Sequence, residues 1–94
     1  MKLLMIVIDS ECSEELEVLF KKVGVAGYTE ISGVHGVGET GIRMGSGAFP
    51  ETSSLFFTVV EPEKVHELKE TLKSFCGAYD RHMKMVQWGV EEIV

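Results

Sequence analysis

The chain has 94 residues, which is the size of one domain, and 45% hydrophobic content, which is enough to bury a core. Charged residues make up 26% and the formal net charge is −6, with no basic stripe to neutralise a phosphate backbone, so nucleic acid is excluded as a partner. The opening MKLLMIVID carries an apolar run only from Leu3 to Ile8, short of the roughly 7–15 residues of a secretory segment, and no run nears the roughly 18 of a membrane span, so a cytoplasmic protein is expected.

The elements follow in chain order. Lys2–Ile8 is a continuous apolar run rich in branched residues, closed by Asp9-Ser10, and reads as a buried strand. Ser10 or Ser13 is placed to cap a helix whose first turn carries Glu11, Glu14 and Glu15. Leu16, Leu19, Phe20 and Val23 give that helix a core stripe at helical spacing, Lys21 and Lys22 suit its last turn, and Gly24 stops it. Tyr28–Val34 alternates and reads as a second strand. Leu55–Val60 is a third, strongly apolar strand. Glu61-Pro62 opens a second helix, with Val65, Leu68, Leu72 and Phe75 on its buried face and Gly77 at its end. Met83–Val90 is a fourth strand, followed by a short acidic tail.

Between the second and third strands lies the least regular part of the chain. Residues Gly33 to Ser53, GVHGVGETGIRMGSGAFPETS, hold six of the ten glycines and show neither helical period nor strand alternation. Compact domains join their elements with about 4–6 residues, and loops beyond about 12–15 tend to be functional or disordered. Such a loop has two compatible roles: its glycines let backbone N–H groups close on an anion, and the whole segment can order on meeting a partner.

The order β-α-β-β-α-β is the split βαβ, ferredoxin-like pattern: an α+β fold with a four-stranded antiparallel sheet, two helices on one face and a long loop between strands two and three. Two helices cover only one face of that sheet. The first and third strands are apolar at nearly every position (LLMIVI, LFFTVV), so both of their faces call for burial. The free face is therefore expected to pack against other copies of the chain, with cyclic closure the default. The topology also gathers the glycine loop, the start of helix one, Cys12, Cys76 and the connection Gly77–His82 at one edge of the sheet, which is the expected ligand site.

With these residues in place the chain resembles the P-II signalling family and its P-II-like relatives. Gly24-Val25-Ala26-Gly27-Tyr28-Thr29-Glu30-Ile31-Ser32-Gly33 is similar to that family's approach to its T-loop, Val60-Glu61-Pro62 to its entry into helix two, and Gly89-Val90-Glu91-Glu92-Ile93 to a Pro-Val-Glu-Glu segment. The resemblance implies one P-II-like ferredoxin-like domain over residues 1–94, a homotrimer, and a non-enzymatic signal-transduction role. It further implies a small-molecule effector between subunits, an adenine nucleotide (ATP, ADP or AMP) rather than a fixed cofactor. The loop, residues 33–53, would signal to a partner protein of the membrane-transporter kind.

The departures are as specific. Typical members hold phosphates with a Thr-Gly-x-x-Gly-Asp-Gly-Lys turn after helix two; here Ser74 to His82 reads SFCGAYDRH, with one glycine. The Arg-Gln-Lys at the loop base is replaced by the neighbourhood of His35 and Gly36, the loop lacks a tyrosine for uridylylation, and the chain ends before the family's C-terminal basic residues. The expected ligand-binding set is His35, Gly36, Gly38, Arg43, Gly77, Arg81, His82 and Lys84. Arg81 is the bidentate donor for a phosphate or carboxylate, or the partner of Asp80.

The alternative reading is a copper or zinc protein of the same fold using His35 and His82 with a sulfur ligand, although no Cys-x-x-Cys or His-x-x-x-His spacing specifies it. Cys12 and Cys76 are either a redox pair at the shared edge or small core hydrophobes. No catalytic dyad is evident, and Trp88 is expected to anchor the core or a subunit contact.

Overall fold

The computed structural model describes residues 1–38, 41–43, 45, 47, 51–73 and 83–94. Six strands and two helices follow one another: β1 (Lys2–Asp9), α1 (Ser13–Lys22), β2 (Thr29–Val34), β3 (Gly36–Gly38), β4 (Gly41–Arg43), β5 (Ser53–Val60), α2 (Pro62–Leu72) and β6 (Met83–Gly89). Four of the strands form one antiparallel sheet in the order β2-β5-β1-β6, and β3 and β4 form a separate hairpin. The fold is ferredoxin-like, as the sequence pattern implies.

One face of the sheet makes the core. Leu4, Ile6 and Ile8 of β1 and Phe56 of β5 are buried against Leu16, Leu19 and Phe20 of α1 and Leu68 and Leu72 of α2. Each such side chain contributes about 1.5–3 kcal/mol on burial. Phe20 meets Phe56 edge-on at 5.7 Å between ring centroids, and Tyr28 completes an aromatic trio at 5.1 Å from Phe20. The other face holds Leu3, Met5 and Val7 of β1, registered against Val59, Phe57 and Leu55 of β5 and against Trp88, Val86 and Lys84 of β6. No element of this chain among the described residues covers that side.

The first helix ends as Gly24 foretells. Gly24 takes φ +81°, its N–H donates to the Lys21 carbonyl, and the Val25 N–H donates to the Phe20 carbonyl 2.9 Å away. These two bonds close the last turn of the helix through a residue in the left-handed region. The Lys64 ammonium of α2 donates to the Val23 carbonyl, placing a cation on the negative end of α1 and tying the helices together.

The helix start differs from expectation. Neither Ser10 nor Ser13 caps α1 with its side chain. Residues Ser10–Cys12 form a 3-10 turn, and the Asp9 carboxylate accepts the Glu11 N–H at 3.2 Å. Ser13 instead donates its hydroxyl to the Ser10 carbonyl at 2.9 Å. The 3-10 turn runs directly into α1, whose N-cap position is Cys12 and carries no side-chain cap. At the other end of the chain, α2 is described to Leu72; Phe75 and Gly77 lie outside the described residues.

Candidate functional site

The ends of four strands converge at one edge of the sheet. Ser53 opens β5 opposite Asp9, the last residue of β1, and opposite Val34, the last of β2. Met83 opens β6 opposite Ile8. The start of the helical region is fastened to the same place: the Ser10 N–H donates to the Thr52 carbonyl at 3.1 Å, and the two hydroxyls of Ser10 and Thr52 meet at 2.7 Å. Two hydrogen bonds, one between backbones and one between short side chains, leave little freedom to the junction where the long loop rejoins the sheet.

The strand that leads into the loop is bent at a defined point. Ile31 pairs with Leu55 but Val34 pairs with Ser53, so β2 carries one residue more than β5 between these two pairs. Gly33 sits in this bulge with φ +65°, a conformation that side chains resist. The bulge turns the chain out of the sheet just before His35. Beyond it the loop is not featureless, contrary to the reading of its sequence. Gly36 pairs with Arg43, Val37 with Ile42 and Gly38 with Gly41, a short two-stranded ribbon. Alternating glycines obscure strand patterning because they carry no side chain to mark a face.

The foot of the ribbon is built around Gly45. Its φ is +66°, its N–H donates to the Glu51 carbonyl at 3.2 Å, and a Cβ there would lie 3.0 Å from the Thr52 methyl and 3.1 Å from the His35 Nε2. His35, Gly45 and Thr52 therefore close the base of the loop over the sheet edge, with His35 exposed to solvent.

The sequence-based site residues fall into three groups. His35, Gly36, Gly38 and Arg43 lie together, at the loop base and on the ribbon. Lys84 lies elsewhere: it pairs with Val7 on β6, and β6 and β2 are opposite edges of the sheet, about 14 Å apart at three strand spacings. Within one chain His35 and Lys84 thus stand toward opposite edges of the sheet. Gly77, Arg81 and His82 lie outside the described residues, as does Cys76. Cys12 is buried in the core cluster, and no free cysteine occurs among the described residues. Among those residues, no three His, Cys, Asp or Glu side chains converge as metal ligands.

Sequence reasoning missed Ser10 and Thr52 as the clasp of this site and Glu30 as a perturbed group beside it. Glu30 is held above the ordinary carboxylate range, first by burial, then by a hydrogen bond and the charge of Glu17, against the opposing hydrogen bonds of Ser32 and Ser54. Glu17 and Glu30 belong to different elements, so nothing in the linear spacing announces their contact.

The chain belongs to the P-II family: the family profile described as Nitrogen regulatory protein P-II matches residues 1–91. Solved structures share the fold. CPII, a nitrogen regulatory PII-like protein from Thiomonas intermedia K12, bound to ADP, AMP and bicarbonate, superposes with a TM-score of 0.73 at 24% identity, over 95% of this chain and 86% of that one. The same protein bound to ADP and bicarbonate gives a TM-score of 0.73 at 25% identity, with the same coverage. A PII-like signaling protein from Thermus thermophilus gives 0.66 at 20% identity, over 93% of this chain and 82% of that one. No curated protein matches the chain. No helix among the described residues is long and apolar enough to cross a membrane.

Proposed function

We propose that this chain is a non-enzymatic signalling subunit that works as a homotrimer. An adenine nucleotide binds at the clefts between copies, and the state of the 33–53 loop reports its presence to a partner protein. The observation that carries the proposal is the sheet edge itself. The bulge at Gly33, the clasp of Ser10 on Thr52 and the close approach of His35 to Gly45 tie the base of the loop to the ends of β1 and β5. A ligand seated at that edge acts on the loop at its root.

Several features support the rest. The uncovered sheet face, with Leu3, Met5, Phe57, Val59 and Trp88, is the surface that copies would share. Assembly also answers the distance between His35 and Lys84, since a neighbouring copy can bring one chain's β6 edge to another's loop base. The nucleotide class is suggested by the ligands of CPII, which include ADP, AMP and bicarbonate. On the ribbon, Val37 is 69% exposed and suits contact with a partner. The mechanism is a population shift: the nucleotide moves the loop only by its differential affinity for one loop state. Such a sensor works in the cytoplasm, where a transporter's inner face is within reach.

Titration calorimetry with ADP, AMP and ATP, with and without bicarbonate, tests this reading. Binding of one nucleotide, weakened in Arg81→Ala and in His35→Ala, supports it. Heat with copper or zinc but with no nucleotide would replace the nucleotide by a metal and the sensor by a metal-binding protein.

A further inference from the structure

A groove lies on the helical side, opposite the uncovered sheet face. Glu14, Glu17, Val18, Lys21, Val25 and Tyr28 line an open groove of about 600 Å³ between α1 and the segment leading into β2. Its floor is apolar and uncovered: Val18 is 67% exposed and Tyr28 40% exposed. A valine pointing outward from a helix whose opposite stripe already fills the core has no part in packing. Single exposed apolar residues are ordinary; here exposed Val18, half-buried Val25 and the Tyr28 ring share one concave groove.

The charge around this floor is one-sided. Glu14 and Glu17 flank it, Glu30 stands behind Tyr28 on β2, and Lys21 is the one cation among the lining residues. Among the described residues no ion pair joins Lys21 to Glu14 or Glu17. The Tyr28 hydroxyl is held above its ordinary range, first by burial, then by the charge and hydrogen bond of Glu17, then by Glu30. Glu30 is raised by burial and by Glu17 in the same way. Both groups thus resist adding negative charge where negative charge is already in excess, and a cation entering the groove would relieve that repulsion.

We propose that this groove docks a basic, amphipathic segment of a partner protein, a lysine or arginine flanked by aliphatic residues. The aliphatic residues and the stem of the cationic side chain lie on Val18, Val25 and the Tyr28 ring, and the charged head sits between Glu14 and Glu17. Tyrosine faces and long basic side chains pair well in this arrangement, because the stem is apolar and the head is not. The groove is on the helix layer, so copies joined through the other sheet face leave it open. The inference holds whether or not a nucleotide binds at the loop base.

The test is fluorescence anisotropy of the purified full chain with a labelled peptide of Arg-Leu-Ser repeats. Because a chain of net charge −6 attracts any basic peptide, the decisive comparison is between two variants of equal charge. Glu14→Gln/Glu17→Gln should weaken binding about tenfold, while Glu91→Gln/Glu92→Gln on the exposed tail should leave it within about twofold. Val18→Ser should also weaken the Arg-Leu-Ser peptide, and a peptide of Arg-Ser-Ser repeats should bind less well than Arg-Leu-Ser to the unaltered chain. Equal losses in the two charge variants, or equal affinity for the two peptides, would reduce the effect to net charge and overturn the proposal.

Discussion

The two faces of the sheet are made by the same strands from the same kinds of residue, yet they end in opposite states. On the helix side Leu4, Ile6, Ile8 and Phe56 are at most 1% exposed. On the other side Val59 and Trp88 remain 43% and 48% exposed, with Ile31 at 47% on the edge strand of the same face. The difference does not lie in the residues, which are as apolar on one side as on the other. It lies in what covers them: ten- and eleven-residue helices on one face, and nothing among the described residues of this chain on the other. A strand apolar on both sides is written for burial on both sides, and an uncovered apolar sheet face of this extent marks an interface. The core is thus completed within one chain, whereas completing the second face is the part left to the proposed trimer.

Substitutions on the two faces separate these states. The largest effect belongs to the covered side. Phe56→Ala removes a ring packed on Phe20 and Tyr28 and should cost about 3–5 kcal/mol in urea unfolding. Next is the neighbouring residue on the other face. Phe57→Glu should leave the helical circular dichroism signal of each chain intact while reducing the native mass to that of a monomer; if Phe57→Glu unfolds the chain as Phe56→Ala does, the two faces are not distinct.

A smaller effect is expected at the loop base. Gly45→Ala puts a side chain at φ +66° and against the Thr52 methyl and His35, which should cost roughly 1–2 kcal/mol and shift the His35 resonances, with the core amides unmoved.

The smallest effect is electrostatic and depends on pH. Glu30 binds its proton more tightly in the folded chain than its ordinary value of 4.5 implies, so its contribution is fully present in acid and is lost as pH rises through the raised folded value. Glu30→Gln keeps a hydrogen-bonding group and removes the charge. It should be no more stable than the unaltered chain at acid pH and more stable at neutral pH, as read from melting curves across that range.

Much of this architecture was legible in the sequence, because hydrophobic period is a local signal. Leu16, Leu19 and Phe20 at helical spacing, the Pro62 start of α2 and the Gly24 stop of α1 each dictate their own element. The parts that were not legible depend on partners distant in the chain. Ser53 and Ser54 look like loop residues, yet they begin β5; Ser54 is buried beside Ile8 because its register against β1 places it there. The β3–β4 ribbon is hidden by its glycines. The clasp of Ser10 on Thr52 spans 42 positions, and no pattern in either segment points to the other. The gathering of His35, Gly36, Gly38 and Arg43 followed from topology, whereas the placement of Lys84 on the far edge needed the order of the strands. Trp88, read as an anchor of the core or of a contact, is 48% exposed and takes no part in the core.

The most direct test of the two-faced sheet is the native mass of the unaltered chain, measured by light scattering during size-exclusion chromatography at micromolar concentration. The account expects a single species near three times the chain mass of 10.4 kDa, falling to one chain mass in Phe57→Glu. A stable species of 10.4 kDa for the unaltered chain would contradict it, since the apolar face would then stand in water without a partner.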